Sequence, residues 1–165
     1  MPWKRRDQTA AAGLLDPRAP SLRWGAVGDW YTVGLALGLG LAIGVLFAGL
    51  LSATPLGRAA AVVLAGTAGA VAGLLIEDWA EIGAGLGGGF VGALAAGIVV
   101  AGALRRGGTR GGLALIVAVA AAGLAALAFV PFVGYVQAIV LPGLAARLRR
   151  TQGERYAGLR SLAKD

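Results

Sequence analysis

Charged residues occur in a few short clusters along this chain, and long uncharged stretches lie between them. An uncharged stretch of about 18 residues or more crosses roughly 30 Å of hydrocarbon when it forms a helix. Four stretches reach that length, and they run over residues 32–57, 59–76, 82–104 and 111–146. The pattern therefore predicts four transmembrane helices.

The uncharged stretches favour helices over strands. In a bilayer every backbone N–H and C=O must find a partner within the protein, so only helices and closed barrels cross it. Barrel strands alternate apolar and polar residues, and these stretches do not. With 58% hydrophobic residues, 14% charged residues and a mean hydropathy of +0.77, the composition lies outside the range of a soluble domain. The predicted fold class is an all-α integral membrane protein. The abundance of Ala, Gly and Leu, together with the use of Arg in preference to Lys, predicts a bacterial source.

A similar sequence motif stands at the start of two of the apolar stretches. Residues 29–40 read DWYTVGLALGLG and residues 78–89 read DWAEIGAGLGGG, so the copies lie 49 positions apart. An Asp-Trp step is rare by chance in a chain with four Trp, so the match predicts a duplication. Each copy would be a hairpin of two helices. An even number of crossings returns the chain to its starting side, so the two hairpins are predicted to be parallel.

The last apolar stretch is too long for one straight crossing. Residues 111–146 would extend about 54 Å as a helix, and Pro131 removes a backbone donor inside it. We therefore predict that the fourth span ends or kinks at Pro131. Residues 132–146 could then form a fifth span, a re-entrant piece or an interfacial helix. Beyond them, Thr151 and Glu154 resemble a capping box, which predicts a short cytoplasmic amphipathic helix.

These boundaries divide the chain into four segments. We predict an N-terminal cytoplasmic arm at 1–28, a first transmembrane hairpin at 29–76, a second at 77–131, and an interfacial segment with a basic tail at 132–165.

The position of the basic residues predicts the orientation. The net charge is +7, and cytoplasmic loops carry an excess of Lys and Arg. With four spans and both termini inside, 11 basic residues lie inside and 4 outside. With five spans and the N-terminus outside, the numbers are 10 and 5. The four-span arrangement is preferred, and it predicts a multi-pass protein of the cell membrane with both termini in the cytoplasm.

The sequence lacks the residues from which most catalytic sites are built. It has no cysteine and no histidine, and no nucleophile–base pair or metal-ligand spacing can be assembled. The acidic residues Glu77, Asp78 and Glu81 are better explained as a helix cap than as a metal site, and Asp29 is expected to cap the first span in the same way. Basic residues without interleaved aromatic residues do not indicate nucleic acid binding. We predict a protein that is not an enzyme, with no cofactor and no nucleic acid partner.

Glycine spacing and arginine clusters supply the candidate functional residues. Glycines four apart let helix backbones approach closely, and they form a candidate packing interface, either within the chain or between subunits: Gly34, Gly38, Gly85, Gly89 and Gly92. Arginines of the tail are candidate contacts for anionic lipid headgroups: Arg147, Arg149, Arg150 and Arg155. Arginines of the two predicted outer turns are a candidate pore mouth: Arg58, Arg105, Arg106 and Arg110.

Two functions are compatible with these features. The first is a small structural or accessory membrane protein that acts through glycine-mediated helix packing and is able to self-associate as a homo-oligomer. The alternative is a minimal channel or transporter subunit whose pore forms on oligomerisation. Membrane lipids, with anionic headgroups at the inner surface, are the expected partners in both cases.

Overall fold

The computed structural model describes residues 24–76 and 78–162, with side chains for residues 28–76 and 78–150. In that part of the chain all regular structure is helical. The five helices are α1 (Trp24–Leu51), α2 (Pro55–Leu74), α3 (Trp79–Arg105), α4 (Arg110–Ala128) and α5 (Val133–Leu162). The first four are each long and apolar enough to cross a membrane, which confirms the prediction of an all-helical protein with four such segments. The predicted arm at residues 1–28 lies mostly outside the described residues.

The chain divides by its contacts into two compact units, residues 1–30 and residues 31–165. The helix bundle described below belongs to the second unit. In the first unit, α1 already begins at Trp24, so Asp29 lies inside the helix and does not cap it. The prediction of a cap at Asp29 is wrong because the helix continues for more than a turn before it.

The turns between helices follow from local chemistry. Thr54 caps α2, since its Oγ1 accepts a hydrogen bond from the Gly57 N–H at 3.0 Å, and Pro55 occupies the first turn, where no N–H is needed. Asp78 is the N-cap of α3, as the sequence predicts. Between α3 and α4 the chain reverses through Gly107, whose φ of +88° strongly favours glycine.

Helices α1 and α3 run in the same direction, and α2 runs against both. Along α1 and α3, Gly40 lies against Gly85 and Gly89, and further on Gly44 lies against Gly92. Along α2 and α3 the order reverses, because Gly73 lies against Glu81 whereas Ala65 lies against Gly89. Helix α3 is therefore packed between α1 and α2. It carries more buried positions than α2 or α4.

Helix α4 packs antiparallel along α1, with Ala128 near Gly38 and Val117 near Gly49. The chain then turns at residues 129–132, where Phe132 has a φ of +66°, and α5 runs back. At its start Gly134 lies against Gly34. Further along, residues 142–150 of α5 line a groove with residues 91–98 of α3, so α5 runs parallel to α1 and α3.

The sequence predicts that the fourth span ends or kinks at Pro131, and the structure has the first of these: α4 ends at Ala128 and a new helix begins at Val133, so no continuing helix is kinked there. The tail differs from the expectation of a separate short helix, since α5 continues unbroken from Val133 to Leu162. The predicted amphipathic character of the tail concerns side chains beyond residue 150, which lie outside the described residues.

Candidate functional site

The centre of the bundle is a set of close contacts between helix backbones. A Cβ atom added at Gly85 would collide with the carbonyl oxygen of Gly69, and one added at Gly89 would collide with that of Ala65. On the other side of α3, a Cβ at Gly92 would collide with the carbonyl oxygen of Leu41. No residue other than glycine fits these positions without moving a helix, since the obstacle is backbone in each case.

The other two predicted packing glycines lie on a different side of α1. A Cβ at Gly34 would come within 2.7 Å of the ring of Tyr135, and a Cβ at Gly38 would come within 2.7 Å of the Ala128 methyl group. All five glycines of the predicted interface therefore lie at contacts between helices of one chain. By contrast, Gly83 and Gly87, their neighbours in α3, have open space around the Cβ position.

A buried carboxylate joins the beginning of α3 to α1. Glu81 is only 3% exposed, and its Oε1 accepts a hydrogen bond of 2.7 Å from the Thr32 hydroxyl. Its Oε2 accepts a 3.1 Å hydrogen bond from the Asp78 N–H, which ties the carboxylate to the cap of its own helix. Thr32 and Glu81 are 49 positions apart, which equals the spacing of the sequence repeat.

Two further polar contacts hold the turn between α4 and α5. The Tyr31 hydroxyl donates to the Phe129 carbonyl oxygen at 3.0 Å. Gln137, which is 6% exposed, donates from Nε2 to the Leu124 carbonyl oxygen at 3.1 Å, and its Oε1 finds no hydrogen-bond partner among the described residues. Together with Glu81, these groups lie toward the end of the bundle where α1 and α3 begin.

The opposite end of the bundle is basic. Arg58 and Arg105 line a polar cleft of about 290 Å³ together with Ser52, a buried residue whose hydroxyl has no hydrogen-bond partner in the described part of the chain. Arg106 directly follows α3, Arg110 is the first residue of α4, and both are exposed. The structure therefore brings two of the four predicted pore-mouth residues together in one cleft.

A second cleft lies between α3 and α5 and is mostly apolar. It has a volume of about 550 Å³, and its lining includes Val91, Ile98, Pro142, Ala146, Arg149 and Arg150. We call it the α3–α5 groove. Two of the four arginines predicted to contact lipid headgroups thus share one groove. Arg147 lies on the same stretch of α5, and the side chain of Arg155 is outside the described residues.

Sequence reasoning did not single out Thr32 or Ser52. The signal for Thr32 was available, because adding the repeat spacing of 49 to its number gives Glu81. Ser52 carries no comparable signal, since one serine at the end of an apolar stretch is ordinary. Among the described residues no three carboxylates or other metal ligands lie close enough to hold an ion.

The helices and the distribution of charge define the class of protein. Four long apolar helices with charged groups at their ends indicate a multi-pass membrane protein. The chain matches no protein-family model, and neither a curated protein nor a solved structure is significantly similar to it.

Proposed function

We propose that this chain is a small non-enzymatic protein of the cell membrane that acts as a structural or accessory component through close helix packing. The observation that carries the proposal is the contact of α3 with both α1 and α2 through backbone atoms at Gly85, Gly89 and Gly92. Conduction needs a polar path, and α1–α3 at this separation leave no space for one among themselves, so a path would have to lie between subunits. The bundle is better suited to present a rigid surface.

The polar side chains support this assignment. Glu81 lies near one end of the bundle and Ser52 near the other. Between those depths, Thr67 on α2 donates to carbonyl oxygens of its own helix, at Val63 and Leu64, and does not contribute to a path between helices. Polar groups that carry substrate across a membrane usually converge near the midplane, and none of these residues does so.

We also propose that α5 crosses the membrane as a short fifth span. Its direction, parallel to α1 and α3, places residues 133–146 beside the apolar parts of those helices. These 14 residues extend about 21 Å, which is less than the usual 30 Å of hydrocarbon. Local thinning and snorkelling of the arginines that follow would compensate for the difference.

A fifth crossing changes the proposed orientation. It places the tail at the same end as the turns that carry Arg58, Arg105, Arg106 and Arg110, which leaves 10 basic residues at that end and 5 at the other. By the positive-inside rule the basic end faces the cytoplasm, and the N-terminus lies outside. This proposal replaces the expectation that both termini are cytoplasmic. The C-terminus stays inside in either arrangement.

Labelling of single cysteines tests the orientation, since the chain has no native cysteine. Cysteines replacing Thr54, Ala80, Gly107 and Thr151 would be reacted with a membrane-impermeant thiol reagent, from one side of sealed vesicles at a time. With five crossings, position 151 reacts from the same side as 54 and 107. With four crossings, position 151 reacts together with position 80, and the fifth span is rejected.

The contacts also support the proposal that α1–α2 and α3–α4 are duplicated hairpins. Helices α1 and α3 are parallel, and residues 49 apart meet, as in Thr32 with Glu81 and Gly40 with Gly89. The second helix of each hairpin packs on the first helix of the other: α2 on α3, and α4 on α1. A twofold axis along the membrane normal produces this exchange of partners.

The alternative function, a channel or transporter subunit, is favoured by the polar cleft at Arg58 and Arg105. Flux assays in liposomes separate the two proposals. An accessory protein gives no ion or solute flux above that of protein-free liposomes. A channel gives flux, and the double variant Arg58→Gln/Arg105→Gln changes its rate or its anion selectivity because these guanidinium groups line the cleft. Flux with that response would overturn the accessory function.

A further inference from the structure

The α3–α5 groove combines an apolar wall with a basic end. On α3 it is lined by Val91 and Ile98, and on α5 it begins at Pro142 and ends at Arg149 and Arg150. Ile98 is 39% exposed, so the groove lies on the surface of the bundle that faces lipid. We propose that this groove is a binding site for a single anionic phospholipid, with an acyl chain along α3 and the phosphate at Arg149 and Arg150. The inference rests on the proposed five-span arrangement and adds a ligand to it.

The length and depth of the groove match one leaflet. Val91 lies at the middle of α3, which runs from Trp79 to Arg105. From Val91 to Ile98 the helix rises about 10 Å toward the basic end, and half of a typical hydrocarbon core is about 15 Å thick. An acyl chain lying along the helix would therefore enter from the basic side and reach the midplane. A lipid of the opposite leaflet would not reach the arginines.

The charge at the end of the groove selects the headgroup. Arg149 and Arg150 stand on consecutive positions of α5, and both line the groove. Guanidinium groups bind phosphate oxygens through several donors held in a fixed fork. Because α5 has only 14 uncharged residues before its first arginine, Arg149 and Arg150 follow its apolar part earlier than Arg105 follows that of α3. Arg149 and Arg150 therefore lie deeper in the membrane than the turns between helices, where they can bind a lipid phosphate beside the bundle.

The volume of the groove has a structural cause in α5. Pro142 lies inside the helix and lines the groove, and Ala146 follows it one turn later. Proline has no N–H and tends to bend a helix, and alanine is too short to fill the space toward α3. A longer side chain at position 146, which is exposed, would occupy the groove without disturbing the buried Ala145 beside it.

Native mass spectrometry of the full chain in detergent tests the site. The protein is titrated with phosphatidylglycerol and, separately, with phosphatidylcholine, and the Kd of the first bound lipid is measured. We expect tighter binding of phosphatidylglycerol by the wild type. In Arg149→Gln/Arg150→Gln the Kd for phosphatidylglycerol should rise by about fivefold for each arginine removed, since a basic residue near an anionic surface contributes about 1 kcal/mol. Ala146→Phe should weaken binding of both lipids by filling the groove.

Two matched control variants distinguish loss of the lipid site from the general effects of removing charge or adding an aromatic ring. Arg106→Gln/Arg110→Gln removes the same charge from the region where α3 ends and α4 begins. Val140→Phe adds an aromatic ring to α5 at a 46% exposed position outside the groove. Both should bind phosphatidylglycerol as the wild type does. Thermal unfolding of each variant verifies that it is folded.

Three results would overturn the proposal. Equal weakening by the two arginine pairs would mean a response to net charge alone. An unchanged Kd in Ala146→Phe would mean that the lipid lies elsewhere. A wild-type dimer that dissociates in Ala146→Phe, visible in the same spectra, would mean that a second copy occupies the groove. None of these results alters the cysteine-labelling pattern, so a failure of the lipid site is distinguishable from a failure of the five-span arrangement.

Discussion

Helices α2 and α3 meet through their backbones, whereas a groove of about 550 Å³ lies between α3 and α5 toward the basic end. The close contact continues over about two turns, from Gly73 beside Glu81 to Ala65 beside Gly89. Helix α5 approaches the bundle closely at Gly134, but a second apolar cleft of about 260 Å³ opens further along, among α1, α3, α4 and α5. The same bundle thus has a tightly packed part and a loosely packed part.

The difference follows from which residues face the neighbouring helix. In a membrane, apolar side chains gain little by leaving lipid, so helix association depends on close packing and on hydrogen bonds between helices. Glycine permits backbone contact along α3, and dispersion contacts accumulate there. Helix α4 has only two buried residues in its described length, Ala121 and Ala128, and presents Leu115, Ile116 and Val119 outward. The backbone contacts of α1–α3 form the tightly packed part of the bundle, and the clefts, including the α3–α5 groove, lie beside α4 and α5.

The largest expected effect is on the α2–α3 contact. Gly89→Ala places a methyl group against the Ala65 carbonyl, so the helices must separate and the protein should lose about 2–3 kcal/mol of unfolding free energy. The matched control is Gly87→Ala, two residues away with open space around it, which should be neutral or slightly stabilising because alanine favours helix. Thermal and denaturant unfolding in detergent measure both variants. If the two behave alike, the backbone contact does not stabilise the bundle.

The next largest effect concerns the link between α1 and α3. Glu81→Ala leaves the Thr32 hydroxyl and the Asp78 N–H without their acceptor, and the cost should be about 1–3 kcal/mol. Thr32→Val should cost less, because the Asp78 N–H keeps its partner. A double-mutant cycle between positions 32 and 81 measures their coupling, expected at about 0.5–1.5 kcal/mol. Additive single effects would show that the hydrogen bond between the helices contributes nothing.

A smaller effect is expected at the reversal between α4 and α5. Phe132 has a φ of +66°, a left-handed conformation that costs a residue with a Cβ about 1–2 kcal/mol. Phe132→Gly removes this cost and should be neutral or stabilising by up to about 1 kcal/mol after the loss of its exposed ring at the interface. Phe129→Gly, at a helical φ of −73°, should destabilise. The opposite order of the two variants would contradict the left-handed conformation at Phe132.

The first three spans and the start of the fourth could be predicted from the sequence because charged residues mark their ends, whereas the end of α4 is marked by Pro131. Charged residues at Arg58, at residues 77–81 and at residues 105–110 separate the uncharged stretches, and the structure has helix ends near each of these positions. The role of α5 could not be predicted in this way. The uncharged stretch at its start, residues 133–146, has 14 residues and falls short of the 18 that a crossing usually needs, so length and hydropathy left three possibilities open.

The packing partners were less predictable than the spans. In the first half of α3 glycine occurs on every side of the helix, at residues 83, 85, 87, 88, 89 and 92. Spacing by four therefore does not tell which glycine meets α1, which meets α2 and which faces lipid. That depends on the rotation of α3, which is fixed by contacts far apart in the sequence. The repeat was the better guide, since its spacing of 49 pairs Gly40 with Gly89 and Thr32 with Glu81.

The smallest effect sharpens the contrast between the two parts of the bundle. Ala96 lines the apolar cleft among α1, α3, α4 and α5, whereas Ala93, three residues earlier on α3, is 2% exposed and lies beside Gly44. Ala96→Leu adds three carbon atoms that project into the open cleft. It should therefore change the unfolding free energy by less than about 0.5 kcal/mol. The same change at Ala93 should cost as much as Gly89→Ala or more, since the helices there are already in contact. Unfolding in detergent measures the free energy of both leucine variants. Equal costs at positions 93 and 96 would mean that the cleft is closed in the folded protein. The two parts of the bundle would then be packed alike.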